Sequence, residues 1–157
     1  MNDRFKFRAK TTVKDNLKRD FNYVWTYGDL MHSKDKIYIH PYCNHFQTIG
    51  ETCRLAVAHE IIPETIGQCT GLKDINGKLI FEGDIVTFGQ IKYQITFECG
   101  SFALLDKKGE MISKIGGIND HCYSLMNLHL ECCWEDNFAY DLEIIGNRFD
   151  NPELLEV

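Results

Sequence analysis

Residues 63–88 read PETIGQCTGLKDINGKLIFEGDIVTF, and three local structures compete for them: a phosphate loop, a calcium loop, or short strands joined by tight turns. A phosphate loop needs four residues between its glycines, followed by Gly-Lys-Ser/Thr. Here five residues separate Gly71 from Gly77, and Leu79 stands where the magnesium-binding hydroxyl belongs. A calcium loop beginning at Asp74 would gain Asn76 and Gly77, but it requires a bidentate Glu at its twelfth position, and Ile85 is there. The turn reading meets no such obstacle. Asn76-Gly77 lies between the apolar runs Leu72–Ile75 and Lys78–Phe81, the strongest short hairpin signal, because a type I′ turn needs positive φ at both central residues. Glu82-Gly83-Asp84 then turns the chain into Ile85-Val86-Thr87-Phe88, and Gly89-Gln90 makes the next tight turn. Gly71, Asn76, Gly77, Gly83 and Asp84 are therefore read as structural turn residues, and short strands joined this tightly predict a small antiparallel barrel.

Working outward, period-two alternation dominates. Phe5 and Phe7 alternate with Arg4, Lys6 and Arg8. Phe21, Tyr23, Trp25 and Tyr27 repeat the pattern up to Gly28-Asp29, Lys36–Ile39 is a short run before Pro41, and Ile91, Tyr93, Ile95 and Phe97 alternate up to Cys99-Gly100-Ser101. Aromatic and β-branched residues at this period predict half-buried strands. Phe102–Leu105, the turn Asp106–Gly109 and Glu110–Ile115 suggest a further hairpin, and Leu142–Ile145 is a late strand ended by the turn residues Gly146-Asn147. Helix signals are sparse. Thr52–His59 allows one or two turns before Pro63, and Asn151-Pro152-Glu153 has the cap, first-turn proline and acid of a short terminal helix that Leu154 and Leu155 would pin down. Asp120–Trp134 suits a helix through Tyr123, Met126 and Leu130, and a strand through Leu128, Leu130 and Cys132. The expected class is mainly β with a minor α component. It comprises an N-terminal β-rich portion over residues 1–62, a barrel over 63–157 and a short C-terminal helix.

The chain has 157 residues, 44% of them hydrophobic, and three prolines, enough for a proper core. No apolar run approaches the roughly 18–20 residues that span a bilayer, and the start, Met1–Lys6, lacks the apolar centre of a signal peptide. A cytosolic location is expected, with no membrane partner. The seven cysteines, odd in number and irregularly spaced, make a poor disulfide framework and fit reduced core thiols. Residues 1–36 carry nine Lys/Arg and five Asp/Glu, net +4, while residues 37–157 carry net −10. The larger part should repel nucleic acid, whose phosphates require Lys and Arg.

Catalytic and metal signals are thin. His40, Cys43 and His45 are closely spaced and His32 is near, but zinc prefers two ligand pairs. The second would have to come from His121, Cys122, His129, Cys132 or Cys133, none of which forms Cys-x2-Cys. No paired-carboxylate motif, Gly-x-Ser-x-Gly or His-Glu-x-x-His occurs. No cofactor, no metal and no catalytic residue are expected.

Pro63–Gln68, Thr70–Asp74, Asn76–Lys78 and Glu82–Val86 together resemble the YopX family of phage and prophage proteins. So do the opening Phe5–Ala9, the segment Val24–Leu30, and Ile144–Asn147 with Asn151–Leu155. The sequence departs from the usual family pattern at Lys10-Thr11, where an aromatic and an acid often follow, and at Cys69, where tyrosine is common. The resemblance implies an SH3-like barrel with an extra N-terminal β-rich portion, encoded by phages and integrated elements, and brings no catalytic residue. The expected function is a non-enzymatic binding or assembly module in the bacterial host cytosol. Trp25, Tyr27, Arg4, Lys6 and Arg8 are candidate partner contacts, and the partner is a second copy, through strand edges within Phe5–Ile39, or another protein. The alternative is nucleic-acid binding on a basic, aromatic strand face that includes Lys10, Lys14, Lys18 and Arg19.

Overall fold

The computed structural model describes residues 6–12, 23–41, 58–98, 100–106 and 142–156. They form ten strands, all paired antiparallel: β1 Phe7–Thr12, β2 Tyr23–Ser33, β3 Lys36–Pro41, β4 His59–Glu60, β5 Gly67–Lys73, β6 Leu79–Phe81, β7 Asp84–Phe88, β8 Ile91–Glu98, β9 Ser101–Leu105 and β10 Leu142–Asn147. No α-helix occurs among these residues, and none is long and apolar enough to cross a membrane. The mainly β class expected from alternation is what forms. The expected terminal helix is a 3-10 turn, Pro152–Leu155. Asn151 precedes it without capping it, because its Oδ1 instead accepts from Asn147 N at 3.4 Å. The chain divides into two compact units between Gln68 and Cys69, within β5, whereas the sequence pointed to Pro63.

In the N-terminal unit, β2 pairs with β1 on one side and β3 on the other, and β3 pairs with β4. The pairing then returns to β1. Ile61 N donates to Ile37 O at 3.1 Å, Ile62 N donates to Lys10 O at 2.9 Å, and Thr11 and Ile61 form a bridge. The same edge of β1, away from β2, also meets the first residues of β5, Phe7 with Gln68 and Arg8 with Gly67. Alternation sorts the side chains. Ala9, Ile39 and Ile61 are buried, with Phe7, Leu30, Ile37 and Ile66 packed on them.

The sequence reading ended the second strand at Gly28-Asp29, and this is incorrect. β2 runs on to Ser33, and the chain reverses at Lys34-Asp35, where Lys34 takes φ 51°. Gly28 is a strand residue. A Cβ on it would collide with the carbonyl of His40 and with Ile39. Glycine serves here to let two backbones approach closely, as it often does inside strands.

In the C-terminal unit, Cys69–Lys73 of β5 pairs with β6, and the remaining strands form a sheet ordered β10-β7-β8-β9. Leu72 and Ile80 share one buried cluster with Val86, Tyr93, Ile95, Leu104 and Leu142. Tyr93 and Ile95 are the inward middle of β8, while Ile91 and Phe97 at its ends stay exposed. Phe97 rests edge-on against Phe102 at 5.1 Å. Of the hairpin expected over Phe102–Ile115, the first arm lies in β9, while its turn and second arm, most of the helix expected within Thr52–His59 and the segment 116–138 lie outside the described residues.

Candidate partner-binding face

Asp74 N donates to Lys78 O at 2.8 Å and Gly77 N to Asp74 O at 2.9 Å, with Gly77 at φ 80°. Asn76 is not at positive φ; among the described non-glycine residues only Lys34 is. The loop is therefore not the expected two-residue type I′ turn. It has the three-residue form, an ordinary turn followed by a left-handed glycine. Asp74 fixes that form. The residue is 1% exposed. Oδ1 accepts from Asn76 N at 3.0 Å and Lys78 N at 2.8 Å, and Oδ2 accepts from Ile144 N on β10 at 3.1 Å. The residue that opens the calcium-like pattern spends both oxygens on backbone.

Gly83 is the expected tight turn, at φ 82°. Its N donates to Ile95 O at 2.8 Å, its O accepts from Arg148 N at 2.9 Å, and Asp84 Oδ2 accepts from Phe81 N at 2.8 Å. Gly71 is not in a turn. It lies inside β5 at φ 84°, where the β5–β6 register slips between Cys69 and Lys73. Thr70 spans this bulge, its Oγ1 donating to Ile80 O at 2.9 Å and accepting from Leu72 N at 3.1 Å. Gly146 likewise sits at a register shift within β10, where a Cβ would come within 2.6 Å of Asn151 Oδ1 and 2.8 Å of Leu154 Cδ1. Asn147 does close a turn: its Oδ1 accepts from Phe149 N and Asp150 N, both at 3.0 Å.

The candidate contact residues come together on β1 and β2. The register sets Arg8 opposite Tyr27 and Lys10 opposite Trp25. The Arg8 guanidinium lies 4.8 Å from the Trp25 ring centroid and the Lys10 ammonium 5.4 Å, so two cations share one indole. Cations at such distances are attracted by the ring quadrupole. Arg8 is buried, Trp25 half-buried and Tyr27 exposed. Lys6 stands just before β1, on the same side by alternation, and Arg4 lies outside the described residues. The same alternation places Met31 on this face, exposed and opposite Tyr38. At its far margin Lys36 Nζ bonds Glu60 Oε2 at 2.7 Å. That hydrogen bond, with the carboxylate's charge, raises the Lys36 pKa above its ordinary value.

The metal candidates do not assemble in the described residues. His32 is exposed near the end of β2 and His40 is on β3 opposite Asp29. Cys43, His45, His121, Cys122, His129, Cys132 and Cys133 lie outside the described residues. Among those described, no group of three His, Cys, Asp or Glu side chains could hold an ion. Cys69 is a buried free thiol whose Sγ accepts from Gly71 N at 3.4 Å.

The sequence motifs thus divide between the two units: bulges and tight turns held by Thr70, Asp74 and Asp84 in the C-terminal unit, and a basic-aromatic strand face in the N-terminal unit. The family described as "YopX protein" matches residues 6–156, nearly the whole length. The chain belongs to the YopX family. No curated protein matches it. The match extends through the β1–β2 face as well as the bulged strands of the C-terminal unit, so both parts of this YopX protein are family structure.

Sequence reasoning missed two features. Asp74 has a visible signal, since an Asp two residues before Asn-Gly favours a side-chain-to-backbone turn, but the hairpin reading rests on Asn76-Gly77 alone and gives Asp74 no part in holding it. The continuation of β2 past Gly28 had no strong signal, because Gly28-Asp29 has the composition of a turn.

Proposed function

We propose that this YopX protein is a phage- or prophage-derived, non-enzymatic binding or assembly module of the bacterial host cytosol, and that its C-terminal unit is an SH3-like barrel. The observation that carries the reading is the β1–β2 face, where Arg8 and Lys10 flank Trp25 and where Tyr27 and Met31 are exposed. Aromatic and Arg side chains beside exposed apolar area have the composition of an interface centre. The polar groups in the interior support the same reading. Thr11, Thr65, Thr70, Asp74 and Asp84 all direct side-chain oxygens to main-chain partners, which is scaffold work. Short strands, glycine bulges at Gly71 and Gly146 and one shared core support the barrel, since bulges bend strands toward closure.

The preferred partner is a second copy. The sequence places that contact at strand edges within Phe5–Ile39, and among the described residues β2 pairs with β1 over Tyr23–Gly28 and with β3 over Gly28–Ser33. Tyr27 and Met31 are exposed on the face of β2, and the proposed contact is centred on that face. The nucleic-acid reading draws on the same basic-aromatic alternation, since bases stack on aromatic rings beside cations. Arg8 and Lys10 already occupy the neighbourhood of Trp25, which favours the protein partner. A gel-shift titration with single-stranded oligonucleotides at low and moderate salt separates the two. The module reading predicts no salt-sensitive complex. A complex that weakens steeply with salt and is lost in Lys10→Ala would transfer the face to nucleic acid.

A further inference from the structure

We propose that Asn76 is a site of spontaneous deamidation gated by the Asp74 turn: slow while the hairpin is closed and fast when it opens. The chain has ten asparagines, and Asn76 is the only one followed by glycine. In this reaction the amide nitrogen of the following residue attacks the side-chain carbonyl carbon. A five-membered imide forms and ammonia leaves. Water then opens the ring at either carbonyl, giving aspartate or isoaspartate; no oxidant or other co-reactant is needed. Glycine at the next position has no Cβ to crowd the ring closure. Asn76 and Gly77 are both exposed, so water and base reach them.

The fold restrains both reacting groups. The nucleophile, Gly77 N, donates to Asp74 O at 2.9 Å. The Asn76 main chain is held by its N–H to Asp74 Oδ1 at 3.0 Å, and its side chain reaches Glu143 Oε1 on β10 through Nδ2 at 3.4 Å. Ring closure must break the first bond and swing the side chain off Glu143. Asp74 is buried and anchored to Ile144 N, so this opening is a local unfolding event.

The product would act back on the fold. Deamidation replaces the donor that faces Glu143 with a carboxylate, setting like charges together. Isoaspartate would also add a backbone methylene to a loop whose N–H groups are fitted to Asp74. The modified hairpin should open more readily than the original.

The test is peptide mapping by mass spectrometry of the full chain, incubated at mildly alkaline pH folded and in urea. In urea Asn76 should be the first asparagine to convert. In the folded chain it should convert about tenfold more slowly or less, the retardation expected where opening is a minor local population. Asp74→Asn should raise the folded rate toward the urea value. Equal rates at Asn76 in folded and denatured wild type would overturn the gating, even if Asp74→Asn does not fold. The feedback is read separately: Asn76→Asp should lower the melting temperature and added Glu143→Gln should restore much of it. A melting temperature unchanged by Asn76→Asp would overturn the feedback.

Discussion

Asp74 does in one side chain what a longer loop would otherwise require. Three main-chain N–H groups from two parts of the chain converge on its buried carboxylate. A carboxylate so placed is stabilising because its acceptors are fully used, and removing it leaves donors unpaired. Asp74→Ala should destabilise the protein by about 3 kcal/mol, read as a lower urea midpoint at unchanged slope. Tyr93 offers a pH test of the same core. Burial in the apolar cluster raises its phenol pKa above the ordinary 10.0, with Asp106 adding to the effect. The folded chain thus keeps this proton where the unfolded chain releases it. Tyr93 costs no stability below pH about 10, and stability falls as pH rises from there through the folded value. Lys36, whose pKa is raised by Glu60, loses its contribution in the same alkaline direction. Urea titrations of Tyr93→Phe isolate the phenol: the variant should show a shallower alkaline loss than wild type.

At the scale of elements, alternation is a sound guide and punctuation a partial one. Phe7, Ala9 and the middle of β8 point inward as their period predicts, because a strand face either packs or is solvated. Glycines were harder to read. A glycine in sequence reports only that a Cβ is unwelcome, and this chain uses that in three ways. Gly77 and Gly83 supply positive φ in turns, Gly71 supplies it in a bulge, and Gly28 supplies clearance between β2 and β3. Only the first use announces itself by its neighbours. The basic-aromatic face was legible from Arg8, Trp25 and Tyr27, but their adjacency rests on the β1–β2 register, which no local pattern sets. The structural account makes Gly28 a sharp test. Gly28→Ala should cost about 1–3 kcal/mol by overpacking, and an unchanged melting temperature would show that β3 does not pass so close.

On the scale of the whole molecule, charge and exposure frame the functional question. The first 36 residues carry net +4 and the remainder net −10. Within the N-terminal unit, Tyr27 and Met31 are among the large apolar side chains left exposed, on the face where Arg8 and Lys10 meet Trp25. Apolar area rimmed by charge commonly marks a contact surface. A second copy meeting this face would cover Tyr27 and Met31 while leaving the sheet pairing intact. The most direct measurement is multi-angle light scattering on untagged protein at micromolar concentration, for wild type and Tyr27→Asp. The account predicts a wild-type mass that is a multiple of the 18.2 kDa chain and a variant that falls to 18.2 kDa. A wild-type mass of 18.2 kDa, or an oligomer indifferent to Tyr27→Asp, would contradict it.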